Sequence, residues 1–215
     1  MRDEKVRENS RLIPVSDEVL RNKKFNMDVY ILLDSISRWN FYEEYTYRYI
    51  YEDDLIVSTL AKKINMSRST FKKILEEFES NKIIESANLD ERNIYILKDW
   101  YDKYLLFSVD FLKKLLQLNH KHLIKIYIVY YKYSKHYGKC TLDQKKILQE
   151  IGLQYNSDNL AKLREINKVL INVGLIKIRR TTKRENRVNK TILHITADPY
   201  YETRFYKNNI ELFLL

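Results

Sequence analysis

Glycine, proline and cysteine are scarce in this 215-residue chain, with 3, 2 and 1 copies. So little glycine and proline excludes long flexible linkers and favours a helix-rich, continuous chain. The single thiol, Cys140, excludes an internal disulfide framework and fits a reducing, cytoplasmic setting. No run of about 18 apolar residues occurs, which excludes a helical membrane span. The N-terminal residues Arg2, Asp3, Glu4 and Lys5 are charged, with no apolar signal core. A glycine-rich phosphate loop is missing, which argues against a nucleotide hydrolase. Cys140 with His120, His122, His136 and His194 lacks metal-site spacing, so no metal or cofactor is expected.

What the chain has in abundance is positive charge, distributed unevenly. Its formal net charge is +10. Residues 1–101 hold 17 Lys and Arg against 19 Asp and Glu, whereas residues 102–215 hold 22 against 10. A bias of that size in the C-terminal half points to a polyanionic partner for that half. Hydrophobic residues make up 45% of the chain, enough to build real cores.

Two segments repeat one pattern. In residues 60–84 the apolar residues Phe71, Ile74 and Phe78 form one helical stripe; in 147–176 Leu163, Ile166 and Leu170 do the same. Counted back from Lys82 and from Gly174, the two stripes occupy the same positions. Each follows a short helix and a turn. Asp53 or Asp54 is expected to cap a helix over 55–64, and Ser67 the next one. Asp143 is expected to cap a helix ending near Ile151, with Gly152 as a left-handed C-cap and Ser157 or Asp158 opening the next. Upstream of each pair the spacing predicts a longer helix, over 27–39 and 122–137, then a short strand, over 45–51 and 139–141. Downstream come two strands, 83–86 with 94–97 and 175–180 with 191–196. Each opening, 12–20 and 105–112, reads as a strand feeding a capped helix. The expected class is therefore mainly α with small β wings (α+β): two consecutive winged helix-turn-helix domains at 11–98 and 99–198. An N-terminal tail, 1–10, and a helical C-terminal tail, 199–215, flank them. The connector 99–102 has no glycine or proline, so the two domains are expected to dock.

A helix after such a turn lays its N-terminal half in the DNA major groove. The residues off the stripe are then Arg68, Ser69, Thr70, Lys72 and Lys73 in the first domain, and Asn159, Lys162, Arg164 and Lys168 in the second. Arg and Lys pair with guanine edges or phosphates, and Asn reads adenine. The second hairpin adds Arg179, Arg180, Lys183, Arg184, Arg187 and Lys190 with one acid, a tip suited to phosphates or a minor groove. The first hairpin tip, 87–93, is short and acidic. The aromatic, acidic stretch 39–54 reads either as a protein-contact surface or as a strand packed on the first domain. The apolar C-terminus, 210–215, reads as a core contact or a homodimer contact. His120 and His122 flank Lys121, but a nicking enzyme's His pair encloses an apolar residue on a strand. Here the pair opens a helix in which Tyr130 and Tyr131 occupy core and rim positions. No enzyme is expected.

On the duplicated pattern across 11–198, and above all the stretch 159–176, the chain resembles tandem winged-helix proteins of plasmids and phages of low-GC Gram-positive bacteria. Plasmid replication initiators and phage replisome organisers are the nearest likeness. The resemblance implies binding to repeated double-stranded DNA sites at an origin and recruitment of replication proteins. A transcriptional regulator, or a protein-interaction module in which only the second domain grips DNA, would share these residues.

Overall fold

Ser16 and Ser108 start the same structure twice. In a computed structural model that describes residues 12–41, 46–98, 104–185 and 188–197, each serine closes a strand and caps the helix after it. The strands are β1 (Leu12–Ser16) and β6 (Tyr104–Ser108); the helices are α1 (Asp17–Arg21) and α5 (Val109–Gln117). The Ser16 hydroxyl accepts from Val19 N and the Ser108 hydroxyl from Phe111 N, satisfying one otherwise orphaned amide in each first turn.

The two openings also pair with each other. β1 and β6 form an antiparallel ribbon in which Leu12 meets Ser108, Pro14 meets Leu106 and Ser16 meets Tyr104. The register is symmetric about the Pro14–Leu106 pair, so the two strands are related as across a local two-fold axis.

The first half continues with α2 (Met27–Ile36), capped by Asn26, then β2 (Arg38–Phe41) and β3 (Thr46–Tyr51). A 3-10 turn at Glu52–Asp54 leads into α3 (Val57–Lys63), α4 (Arg68–Ser80) and the hairpin β4 (Ile84–Leu89)–β5 (Arg92–Leu97). Asp90 and Glu91 at the hairpin tip both have positive φ, the conformation that a two-residue turn with matched twist requires. The sheet order is β2-β3-β5-β4. The second half has α6 (Leu123–Tyr137), α7 (Gln144–Glu150), α8 (Ser157–Asn172) and the long hairpin β7 (Ile176–Glu185)–β8 (Val188–Ala197). The class is α+β, with eight α-helices and three small sheets among the described residues. No helix among them is long and apolar enough to cross a membrane.

Several elements differ from the sequence expectations, each for a local reason. The helix expected over 27–39 stops at Ile36: Ser37 N and Oγ both bond Asp34 O, and residues 38–41 turn into β2. Asp53 and Asp54 do not cap α3; they form the 3-10 turn, and Ile56 precedes α3 with no side-chain cap. The strand expected at 139–141 is a single bridge between Cys140 and Ile195. Ser157 opens α8, but the capping side chain is Asn156, bonded to Asn159 N. The strands of the second hairpin run on into the expected basic tip, leaving only 186 and 187 between them. The tails 1–10 and 199–215, with the apolar 210–215, lie outside the described residues.

One apolar cluster runs through both halves, from Ile13 and Leu32 to Leu163 and Ile195. α2 packs on α5 and α6, and α1 on α7. Polar contacts close the seam: Arg21 pairs with Glu150 at 2.8 Å, Lys132 with Asp17 at 2.6 Å, and Lys125 Nζ donates to Leu20 O and Asn22 O. Gly152 sits at the seam with φ +74, and a Cβ built there would lie 2.2 Å from Arg21 O. Within the first half, Arg48 is fully buried and pairs with the buried Asp34, while also donating to Tyr30 OH at 3.0 Å. Inside an apolar core, each of these charges depends on the other.

Candidate nucleic-acid interface

α4 exists because its stripe is buried: Phe71, Ile74 and Phe78 are all in the core. What remains outward is the predicted set. Arg68, Ser69, Thr70, Lys72 and Lys73 are all exposed. Arg68 and Lys72 lie four residues apart on one flank, and Ser69 and Lys73 share the outermost face. The Ser69 and Thr70 hydroxyls are engaged locally, at 3.0 and 2.8 Å from Ser67 Oγ, which itself accepts from Thr70 N. They shape the helix start, leaving Arg68, Lys72 and Lys73 as the outward-reaching groups. Replacing Ser67 with Ala should remove the cap and cost about 1 kcal/mol of stability, read from the urea midpoint.

In α8 the stripe Leu163, Ile166 and Leu170 is buried, and Tyr130 OH donates to Asn167 Oδ1 at 2.8 Å. The four predicted residues separate into three roles. Arg164 and Lys168, four apart and exposed, share the face turned away from the core. Lys162 is exposed on the other flank, close enough to His122 to help hold that imidazole neutral. Asn159 is half-buried and its amide donates to Gln154 O at 2.8 Å, so it braces the turn before α8.

The β7–β8 hairpin is anchored at its base. Ile176, Ile195 and Ala197 are buried, and Ser134 Oγ bonds both Ile195 O and Ala197 N. Beyond the base Arg179, Arg180, Thr181 and Thr182 are exposed. Thr181 Oγ1 and His194 Nε2 are 2.6 Å apart across the ladder. The register sets Lys183 opposite Lys190 and Arg184 opposite Asn189. Arg187 lies outside the described residues.

Two other titratable groups singled out in the sequence, Tyr130 and Cys140, serve the core. Tyr130 is fully buried and its hydroxyl is pushed up by burial. Cys140 is buried and likewise pushed up, which keeps it a thiol. Among the described residues no group of three or more His, Cys, Asp or Glu could hold a metal.

A feature with no sequence signal lies where the halves meet. A half-open cavity of about 450 Å³ is lined by residues 23–28, the 64–66 turn and the adjoining face of α4 in the first half, and by residues between 115 and 125 of the second. Asp28 lines it and is pushed up to about 6, first by burial, with Lys125 and Lys121 pulling the other way. His122 is pushed down to about 4 by burial and then by Lys121, Lys125 and Lys162. Lys125 is pushed down to about 8 by burial, against Asp28. The folded state holds the Asp28 proton more tightly than the unfolded chain, so this group favours folding below about pH 4, a contribution lost as pH rises through 6. His122 acts in reverse: its contribution is present above 6.5 and lost as pH falls through 4. Asp28→Asn should therefore stabilise the fold at pH 7, with the gain vanishing by about pH 4, as urea unfolding across that range would show.

Comparison with protein-family models, with curated proteins and with solved structures finds no match to this chain.

Proposed function

We propose that the chain is a sequence-specific double-stranded DNA-binding protein built from two winged helices, and that it initiates replication of a mobile element by binding repeated sites at an origin. The observation that carries DNA binding is the second half: α8 exposes Arg164 and Lys168, and the hairpin that follows it carries basic residues past its buried base. A charged ladder of this kind is stable against a polyanion, and phosphate contacts supply most non-specific affinity. The helix-turn-helix arrangement of α3 with α4 and of α7 with α8 supplies the base-reading elements. The initiator role rests on the family resemblance of the duplicated pattern.

The symmetric β1–β6 register implies that the two reading helices are presented in opposite senses. One chain should then protect two half-sites in inverted order, with centres about 10 base pairs apart. Hydroxyl-radical footprinting on the protein's own genomic neighbourhood tests this. Protection of one half-site per chain would refute the geometry. A cluster of repeated sites supports initiation, while a single site over a promoter makes the protein a transcriptional regulator.

A second reading has its own observation. Glu52, Asp53, Asp54, Asp90 and Glu91 put acids at the 3-10 turn and hairpin tip of the first half. In that reading the first half holds a replication protein and only the second grips DNA. Alanine at Arg68, Lys72 and Lys73 separates the two: duplex affinity falls if α4 reads DNA and is unchanged if it does not.

A further inference from the structure

The cavity between the halves has two kinds of wall. Phe25, Met27, Leu115 and Ile124 give it an almost fully buried apolar floor. Four ammonium groups, Lys23, Lys24, Lys121 and Lys125, face two carboxylates, Asp28 and Glu77. Lys125 is buried, and two of its three N–H groups go to Leu20 O and Asn22 O. Lys23, Lys24 and Lys121 are exposed at the rim. The size lies within the range of small-molecule sites, and a seam between two halves is a common place for one.

Backbone strain gathers at the same place. Of the non-glycine residues with positive φ, Asn65 (49°), Asn119 (52°) and His122 (70°) all line this cavity. Asparagine and histidine enter that conformation more readily than most residues but still at a cost, and His122, heading α6, has no side-chain cap bond to offset it. Such costs concentrate at ligand clamps.

We propose that this cavity binds a small amphipathic organic anion, an apolar chain or ring carrying one carboxylate or phosphate. The apolar body lies on the Phe25–Ile124 floor, and the charged head meets the lysine rim, where ammonium groups outnumber carboxylates. The occupant borders both helix-turn-helix units. Ile64, Met66 and Thr70 belong to the turn and start of α4, and His120 at the rim lies 3.7 Å from Glu165 of α8. The bound anion is therefore an effector that alters duplex affinity. That effector role rests on the DNA-binding reading; the binding itself does not.

Calorimetric titration of the full chain with sodium octanoate tests the site, with octanol and octylammonium as charge controls and octyl phosphate to compare head groups. One saturable site is expected, at least tenfold tighter for octanoate or octyl phosphate than for either control. The exposed-residue variant Lys23→Ala/Lys121→Ala should lose at least tenfold for the anions and nothing for octanol. Met66→Trp, which enlarges a lining side chain, should abolish binding of all four. Absence of saturable octanoate binding, equal binding of anion and controls, or wild-type binding by both variants would overturn the site. Saturating octanoate should also shift the Kd for a bound duplex at least threefold. An unchanged Kd overturns the effector role. A protein that binds octanoate but no duplex refutes the DNA-binding reading and leaves the anion site standing.

Discussion

Replacing Arg179, Arg180, Lys183 and Arg184 with alanine should weaken duplex binding by roughly a hundredfold to a thousandfold at 0.1 M salt, and by nearly the same factor on every sequence. The expectation follows from where these residues sit. They belong to the part of the β7–β8 ladder beyond its buried base, so core packing should survive their removal. Each phosphate contact releases about 0.9 counterion, so losing four should flatten the log–log salt dependence by about 3 to 4. Replacing Arg164 and Lys168 should instead change which sequences are preferred, because base-edge contacts specify and backbone contacts position. Titrations of one specific and one scrambled duplex at several salt concentrations would read both effects. A hairpin variant with unchanged affinity and slope would reduce the basic strands to a solubilising surface.

Gly152→Ala should destabilise the protein by roughly 2 to 5 kcal/mol, from two additive causes. The first is conformational: at φ +74 an L-residue is strained by about 1–2 kcal/mol. The second is steric: the new Cβ would sit 2.2 Å from Arg21 O, a backbone atom of the other half. Relieving that overlap forces α1 and the α7–α8 turn apart, an overpacking cost of about 1–3 kcal/mol. Gly138→Ala isolates the first cause. Its φ is +71, with nothing within 4 Å of the added atom. Only about 1–2 kcal/mol should be lost there. Urea unfolding of both variants measures the difference; equal losses would mean that the seam yields freely at Gly152.

Much of each half was legible in the sequence because its determinants are local. The buried stripes of α4 and α8 fall where the 3.6-residue period places them. The caps Ser67 and Asp143 and the left-handed Gly152 do what their chemistry favours. What was not legible depends on distant partners. β2 pairs with β3, and no glycine or proline marks the end of α2 before it. The outer ladder of β7 and β8 has too little apolar alternation to read as strand, since Arg179, Arg180, Thr181, Thr182 and Lys183 are all polar. In the candidate site the exposed cations of α4 were readable from the stripe alone. The bracing role of Asn159 was not, because it depends on the path of the chain at Gln154. The cavity left no mark at all, because three separate segments have to meet before it exists.

The β1–β6 ribbon ties the two halves together in time as well as in space. Pro14 finds its partner only when Leu106 has been made, 92 residues later. A nascent first half therefore emerges with its opening strand unpaired along both edges. Such an edge is open to the equivalent strand of another chain. Two chains that exchanged β1 would each satisfy the other's β6 with the same register and the same hydrogen bonds. The same ribbon that closes one chain upon itself is thus a ready-made route to a domain-swapped dimer, favoured by crowded synthesis and disfavoured by slow, isolated folding.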